Sequence, residues 1–380
     1  MKITVEVEKI SSLCYNLVAT QNHNTRKRCF LSIMDYSKFN EYCQQLAVKH
    51  SDDDIDFTKE LIDISETTNK RRKWQEYKQS NIYLANAYTQ IDDDKAIKLL
   101  HCAEYLAYDV DEHEKKYLSQ VYFCRIRLCP VCSWRRSLRL FADNMKIVQY
   151  IDTHNREFGK INYLFVTLTV KNCSADKLSN TLDSILKAYN DLLRRKCIKE
   201  SWRGCVRHLE VTHNVNRNSS SFDTYHPHLH LLVAVDSNYF GRKYISTFQL
   251  RQLWADCLHI TDEKYRNDLQ VDIRVCKNST AQAVAEVSKY ASKSKDYIIL
   301  DDWDLTVDTV RTLDSVLRGR RFVSYCGLFK IVKQVLKIED IENADLIHIE
   351  DDEQVLKVED FSRRDTYWWH FGYGQYYKLK

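Results

Sequence analysis

Between Ile161 and Asp296 the spacing of apolar positions alternates regularly between a strand period and a helical one. "INYLFVTLTV" (161–170) is a β-rich run. It is followed over 174–196 by Leu178, Leu182, Ile185, Leu186, Tyr189 and Leu193 at helical spacing. "GCVRHLEVTH" (204–213) and "HPHLHLLVAV" (226–235) read as two strands joined by the polar loop "NRNSSSFDTY". A helix carrying Leu250, Leu253, Trp254 and Leu258 comes next, then the strand "QVDIRVC" and a helix from about Ser279 to Asp296. The order βαββαβα predicts an α+β fold, a mixed or antiparallel central sheet with helices packed on one face.

The flanks are less regular. Residues 1 to about 50 suggest a small α/β segment. "SDDDIDF" and "ETTNKRRK" form a charge-dense stretch without steady periodicity, a candidate linker, and helical spacing runs from Trp74 to about Leu106. Past residue 300 a helix ends in "RGRR" (318–321). Ten acidic residues and one lysine, Lys357, then occupy Glu339 to Asp360, and the chain closes on "YWWHFGYGQYY". The expected division is an accessory segment (1–70), a helical region with cysteines (71–150), a catalytic domain (151–300) and a small C-terminal region (301–380).

Composition changes this picture little. At 380 residues with 44% hydrophobic side chains the chain suits two or three globular domains. Its 57 basic against 53 acidic residues leave a net charge of +4, so a nucleic-acid surface must be a local patch. No run approaches the roughly 18 apolar residues of a membrane span, and "MKITVEVEKI" alternates like a strand rather than a signal peptide, which predicts a cytoplasmic protein without a membrane partner.

Cysteine is abundant, with thirteen residues. In a large chain without an export signal that favours reduced thiols and metal ligation over disulfides. Cys14, Cys29, Cys43, Cys173, Cys197, Cys205, Cys257, Cys276 and Cys326 are isolated and read as small buried hydrophobes. Cys124, Cys129 and Cys132 cluster in "FCRIRLCPVCSWRRSLRL", with Cys102 upstream. Four thiolates suit a closed structural Zn²⁺ site; a redox pair or unrelated buried thiols is the other reading, and His101 competes with Cys102 as fourth ligand. Arg125, Arg127, Arg135, Arg136 and Arg139 surround this knuckle. They form a candidate phosphate-contacting surface, or an ordinary solvated face.

The chain has two prolines, Pro130 in this knuckle and Pro227 between histidines. In an extended strand His226, His228 and His230 share one side while Leu229, Leu231 and Val233 share the other. Proline cannot donate to a ladder, so Pro227 predicts a strand start or sheet edge that delivers the imidazoles to substrate. With Glu210 from the neighbouring strand, His228 and His230 make a candidate set for a divalent ion that keeps positions open. Histidines hydrogen-bonded at a sheet edge are the alternative.

In "AEVSKYASKSKDY", Glu286, Tyr290 and Lys293 stand at i, i+4 and i+7 on one helical stripe, with Val284, Val287 and Ala291 opposite. A phenol framed by a carboxylate and an ammonium is a candidate nucleophile, activated by positive charge or by a metal-bound electrophile. A surface tyrosine beside an ordinary Glu and Lys is the alternative.

"TLTVKN" (167–172), "HPHLH" (226–230) and "EVSKYASK" (286–293), in that order, resemble the three motifs of HUH endonucleases. "CPVCSWRRS" upstream narrows the resemblance to the replication initiators of small rolling-circle plasmids of Gram-positive bacteria, from about Trp74 to the end and including "GLFK" and "DLIHI". The extended acidic segment near 350 departs from that pattern. The resemblance implies an HUH core in which His228, His230 and Glu210 hold Mg²⁺ or Mn²⁺, supported from the adjacent strand by Thr167, Thr169 and Asn172, with His226 alongside. It implies that Tyr290, aided by Lys293, attacks single-stranded or hairpin origin DNA, leaving a 5′-phosphotyrosine. Glu286 would activate water to end the cycle. A host helicase and DNA polymerase would act with the protein, and its oligomeric state stays open. A single-strand transposase or relaxase, or a non-catalytic zinc-dependent DNA-binding regulator, are the rival readings.

Overall fold

β-branched and aromatic runs bounded by polar turns become strands in the computed structural model, which describes residues 51–65, 69–241, 243–276, 280–289, 294–349 and 361–380. The expected α/β segment over residues 1–50, and Tyr290 and Lys293, lie outside the described residues. The described strands are β1 (Ile55–Glu60), β2 (Tyr105–Asp111), β3 (Lys116–Gln120), β4 (Ile161–Thr169), β5 (Trp202–Asn214), β6 (Thr224–Asp236), β7 (Val271–Val275), β8 (Val323–Cys326), β9 (Phe361–His370) and β10 (Gln375–Leu379). Their pairings are antiparallel and form two five-stranded sheets. The architecture is therefore mixed helix and sheet, as the periodicity predicts, with a second sheet that it does not.

The chain divides into two compact units. Among the described residues, one takes in those up to Arg135, those of Ile298–Arg311 and those of Asp345–Lys380; the other takes in those of Arg136–Tyr297 and Thr312–Ala344.

The first unit holds the sheet β1-β10-β9-β2-β3. Residues read as linker are instead a short helical turn, Asp52–Asp54, capped by Ser51, and the strand β1. Only Ile55 of β1 is buried, so no alternation marks it, and its place is set by pairing with β10 at the far end of the chain. The expected helical stretch breaks into helices Trp74–Tyr88 and Asp93–His101, followed by β2, whose "LAY" run is buried on both sides and shows no period of two. A buried carboxylate ties these pieces together, since Asp63 accepts from Trp74 Nε1 at 2.7 Å and Tyr108 Oη at 2.9 Å.

The second unit holds β7-β4-β6-β5-β8. Leu231 through Val235 of β6 are all fully buried, which requires cover on both faces rather than the one face expected. Register and alternation divide the sheet. Val206, His208 and Glu210 of β5 share a side with His228 and His230 of β6 and Tyr325 of β8, while Cys205 and Arg207 share the opposite side with Ser324 and Cys326. Helix Ala175–Arg194 reaches the second side through Tyr189. Helix Pro130–Thr153 reaches the first through Asn144, which accepts from Tyr325 Oη at 2.9 Å and donates to Ser288 Oγ at 3.0 Å. Ser288 immediately follows helix Thr280–Val287, so this buried bridge holds the segment that carries Glu286.

The expectation for Pro227 is corrected. β6 is the middle strand of its sheet, and Pro227 pairs with Val211 inside it. A proline fits there because the β4 ladder ends at the pair Thr169↔His228, and the next contact on that side is the bridge Cys173↔Tyr225. Its missing N–H falls in the gap between the two.

Candidate metal centre

Three ligands converge on the first side of the second unit's sheet. Glu210 and His228 are register partners across β5 and β6, and His230 follows at i+2. Glu210 Oε2 lies 3.3 Å from His228 Nε2 and 3.2 Å from His230 Nε2, with all three ligand atoms within 4.8 Å of one another. The two imidazole side chains are 11% and 13% exposed and the carboxylate 4%, a shielded pocket that still admits solvent.

Their orientation is fixed from behind. His228 Nδ1 lies 3.1 Å from the His226 carbonyl oxygen, which can only accept, so this contact calls for the Nδ1–H form, the tautomer whose Nε2 could bind a metal. His230 Nδ1 meets Thr167 Oγ1 at 3.2 Å, and the Phe165 ring stacks on the His230 imidazole at 5.4 Å. This group could hold a metal ion, and its borderline nitrogens plus one carboxylate suit a divalent cation that keeps open positions.

A second group lies in the first unit. Cys102, Cys124, Cys129 and Cys132 bring their sulfurs together, with separations of 3.5 Å (102 to 129), 3.6 Å (102 to 132) and 3.8 Å (124 to 132). A tetrahedron of sulfurs about 2.3 Å from one ion has edges of about 3.8 Å, so the spacing fits a four-thiolate site. Backbone amides of Cys124, Arg125 and Cys132 point at the sulfurs of Cys102, Cys132 and Cys129 at 3.3–3.5 Å, the pattern of a knuckle that stabilises thiolates. Arg125 reaches its place through a left-handed backbone, φ 56°. His101 turns instead to Glu104, Nδ1 to Oε2 at 2.9 Å, leaving Cys102 as the cluster's fourth member.

Comparison with known proteins completes this picture. The family model described as Replication protein matches residues 115–377. A "Protein rep" of Bacillus amyloliquefaciens is 31% identical over 83% of this chain and 96% of its own length. One from Lactiplantibacillus plantarum is 33% identical over 82% of this chain and 99% of its own length. The chain belongs to this replication protein family. It is a rolling-circle plasmid replication initiator of the kind its motifs resemble. No solved structure matches it.

Other residues expected at an initiator's site fall into distinct places. Thr167 backs His230, whereas Thr169 donates to the Gln270 carbonyl at 2.8 Å and Asn172 to Thr224 Oγ1 at 2.9 Å, so these two fasten strand ends. His226 stands beside the ligand group, its ring 5.2 Å from that of His228, and burial lowers its pKa. Glu286 is 38% exposed and pairs with Lys289 on its own segment.

The arginine patch is corrected in part. Arg135 is buried, donates to the carbonyls of Leu346 and Ile347 at 2.8 Å, and packs on Trp74 and Trp134. Arg136 is 1% exposed and faces Glu342, and Arg139 pairs with Asp143 at 3.1 Å. These three are engaged within the fold, Arg135 and Arg136 buried and Arg139 half-buried against Asp143. Arg125 is exposed and Arg127 half-buried.

Two residues escaped the sequence reading. His208 is fully buried on the Glu210 side, in register with His230, and neither ring nitrogen has a partner among the described residues; burial pushes its pKa down to about 3, keeping it neutral. Applying the i, i+2 rule to "HLE" would have found it. Lys78 is fully buried and donates to the carbonyls of Leu100 and Cys102 at 2.6 and 2.8 Å, a cation beside four potential thiolates. Nothing in its helix spacing signals that.

Proposed function

We propose that this initiator nicks and rejoins single-stranded origin DNA through a covalent tyrosine intermediate, with one divalent-ion site and one structural zinc. The observation that carries the reading is the convergence of Glu210, His228 and His230 on one point of a sheet, with both imidazoles oriented by supporting contacts, in a chain whose residues 115–377 match a replication family.

Glu210, His228 and His230 would hold Mg²⁺ or Mn²⁺, and Cys102, Cys124, Cys129 and Cys132 would hold Zn²⁺. The divalent ion supplies positive charge to a non-bridging phosphate oxygen, steadying the charge that develops there. Tyr290 Oη attacks the phosphorus in line, forming the phosphotyrosyl bond as the bond to the 3′ oxygen breaks. That oxygen takes a proton and leaves as a free 3′-hydroxyl for a host polymerase to extend, with a host helicase opening the duplex ahead. Lys293 would favour the phenolate by its charge. Glu286 would take a proton from water at the end of the cycle, so that hydrolysis rather than a second tyrosine releases the protein. Arg125, beside the cysteine knuckle, is the arginine of that group best exposed to meet backbone phosphate.

The test is incubation of the protein with end-labelled single-stranded oligonucleotides covering its own replicon and Mn²⁺, with and without chelator, followed by a denaturing gel. A protein-linked band that needs Mn²⁺ supports the reading. Free cleaved strands without such a band, or binding with no cleavage, would replace it with a metal-activated water nuclease or a non-catalytic DNA-binding regulator.

A further inference from the structure

Cys205 and Cys326, separated by more than a hundred positions and unremarkable in sequence, are direct cross-strand partners in β5 and β8. Their Sγ atoms lie 3.2 Å apart. Antiparallel partners have Cα atoms about 4.5–5.5 Å apart, inside the range a disulfide spans, and closure asks for only about 1.2 Å of sulfur movement. Glycines make the approach possible. Gly204 and Gly327 flank the pair as bridge partners, and a Cβ on Gly204 would lie 2.5 Å from the Cys326 carbonyl oxygen. Gly327 adopts φ +53°, and a Cβ there would collide with the Arg203 carbonyl.

The surroundings favour a thiolate. Tyr189 Oη lies 3.2 Å from Cys205 Sγ, and the Arg207 guanidinium sits over the Tyr189 ring at 5.5 Å. Arg207 is 3% exposed, donates to Ser324 Oγ and the Arg321 carbonyl, and pairs with no carboxylate among the described residues; its Nη1 has no partner there. A buried cation without an anion favours negative charge nearby, and the pull of Arg207 falls on Tyr189 and Cys205, opposing the rise that burial imposes on both. The bond from the Cys205 thiol brings the Cys326 thiol down to about 7, whereas that same bond and then burial hold Cys205 well above its ordinary value. Cys205 is buried and Cys326 half-buried, so Cys326 is the sulfur that meets a dissolved reagent.

We propose that Cys205 and Cys326 are an oxidation site, at which hydrogen peroxide converts the facing thiols into an intramolecular disulfide joining β5 to β8. The Cys326 thiolate attacks a peroxide oxygen and the O–O bond breaks, giving a sulfenic acid and one water. Cys205 Sγ then attacks the sulfenic sulfur, the S–S bond forms, the S–O bond breaks and a second water leaves. Two thiols are oxidised by two electrons and one peroxide is reduced. The site lies on the side of β5 opposite Glu210 and is independent of the strand-transfer reading.

The zinc-loaded full-length protein is treated with hydrogen peroxide, remaining thiols are blocked with N-ethylmaleimide, and the digest is mapped by mass spectrometry without reduction. The expected result is a linked peptide pair containing Cys205 and Cys326, a loss of two hydrogens in intact mass, and full reversal by dithiothreitol. In C205S the sulfenic acid has no resolving thiol, so dimedone labelling at Cys326 should rise roughly tenfold over wild type. Recovery of Cys326 as an alkylated thiol, its conversion to sulfinic acid with Cys205 untouched, or a bridge from either residue to another cysteine would overturn the assignment; the wild-type map decides it even if C205S fails to fold.

Discussion

Glu210 and His228 face each other across β5 and β6 as register partners, with carboxylate oxygen and imidazole nitrogen 3.3 Å apart. Two residues that the chain order separates by a polar loop are thereby made one side of a ligand set, and His230 closes it at 3.2 Å from the same oxygen. A carboxylate oxygen within reach of two imidazole nitrogens gathers three donor atoms around one point, where a divalent cation could be bound.

Removing one ligand should therefore abolish the site rather than weaken it by a fraction. Glu210→Gln keeps the volume and deletes the charge. Mn²⁺ affinity by calorimetry should fall roughly a hundredfold or more, since even outer-shell partners are worth 10–100-fold. His230→Ala should do the same, and unchanged Mn²⁺ binding in both would dissolve the proposed centre.

The support behind His230 gives a subtler expectation. Thr167→Val removes the hydroxyl that meets Nδ1 at 3.2 Å while keeping shape and β propensity. Metal affinity should drop about tenfold with the melting temperature nearly unchanged. A large loss of stability with normal affinity would make Thr167 a packing residue.

The cysteine group should be a stability element. Cys132→Ser, or zinc stripping by chelator, should cost on the order of 3 kcal/mol and lower the melting temperature by roughly 6–12 °C. One zinc per chain by elemental analysis, lost in Cys132→Ser, is the companion measurement. Lys78→Met should also loosen zinc, because it removes the cation beside the Cys102 carbonyl.

Much of this was legible beforehand, and the gaps have physical causes. The alternation of "HPHLH" correctly grouped His228 with His230, because a strand's period of two is rigid wherever one side is core. The cysteine spacing grouped Cys124, Cys129 and Cys132 because a tight knuckle is local, whereas Cys102, far upstream, stayed open against His101. Strand β1 was invisible, since an edge strand with one buried residue carries no hydrophobic period. The Pro227 expectation failed for a related reason. A central strand tolerates proline where its neighbour's ladder stops, and ladder length is a property of the partner. Arg135 and Arg136 were misplaced because a run of basic residues on a helix shows nothing of what packs over it. The facing of Cys205 and Cys326 depends on β8 joining the sheet, a pairing that no local pattern announces.

Glu286 should separate the two halves of the reaction. Glu286→Ala should nick with a rate within about threefold of wild type yet accumulate protein-linked DNA, because hydrolysis at the end loses its general base. Followed on a denaturing gel, a variant that releases its product normally would assign termination to another group.

The most direct measurement concerns Tyr290. The adduct formed with single-stranded replicon DNA and Mn²⁺ is digested with nuclease and protease, and the nucleotide-bearing peptide is sequenced by mass spectrometry. The account predicts a 5′-phosphate carried by Tyr290 in the segment "EVSKYASK" and no adduct from Tyr290→Phe. A nucleotide attached to any other residue, or an undiminished adduct in Tyr290→Phe, would contradict it.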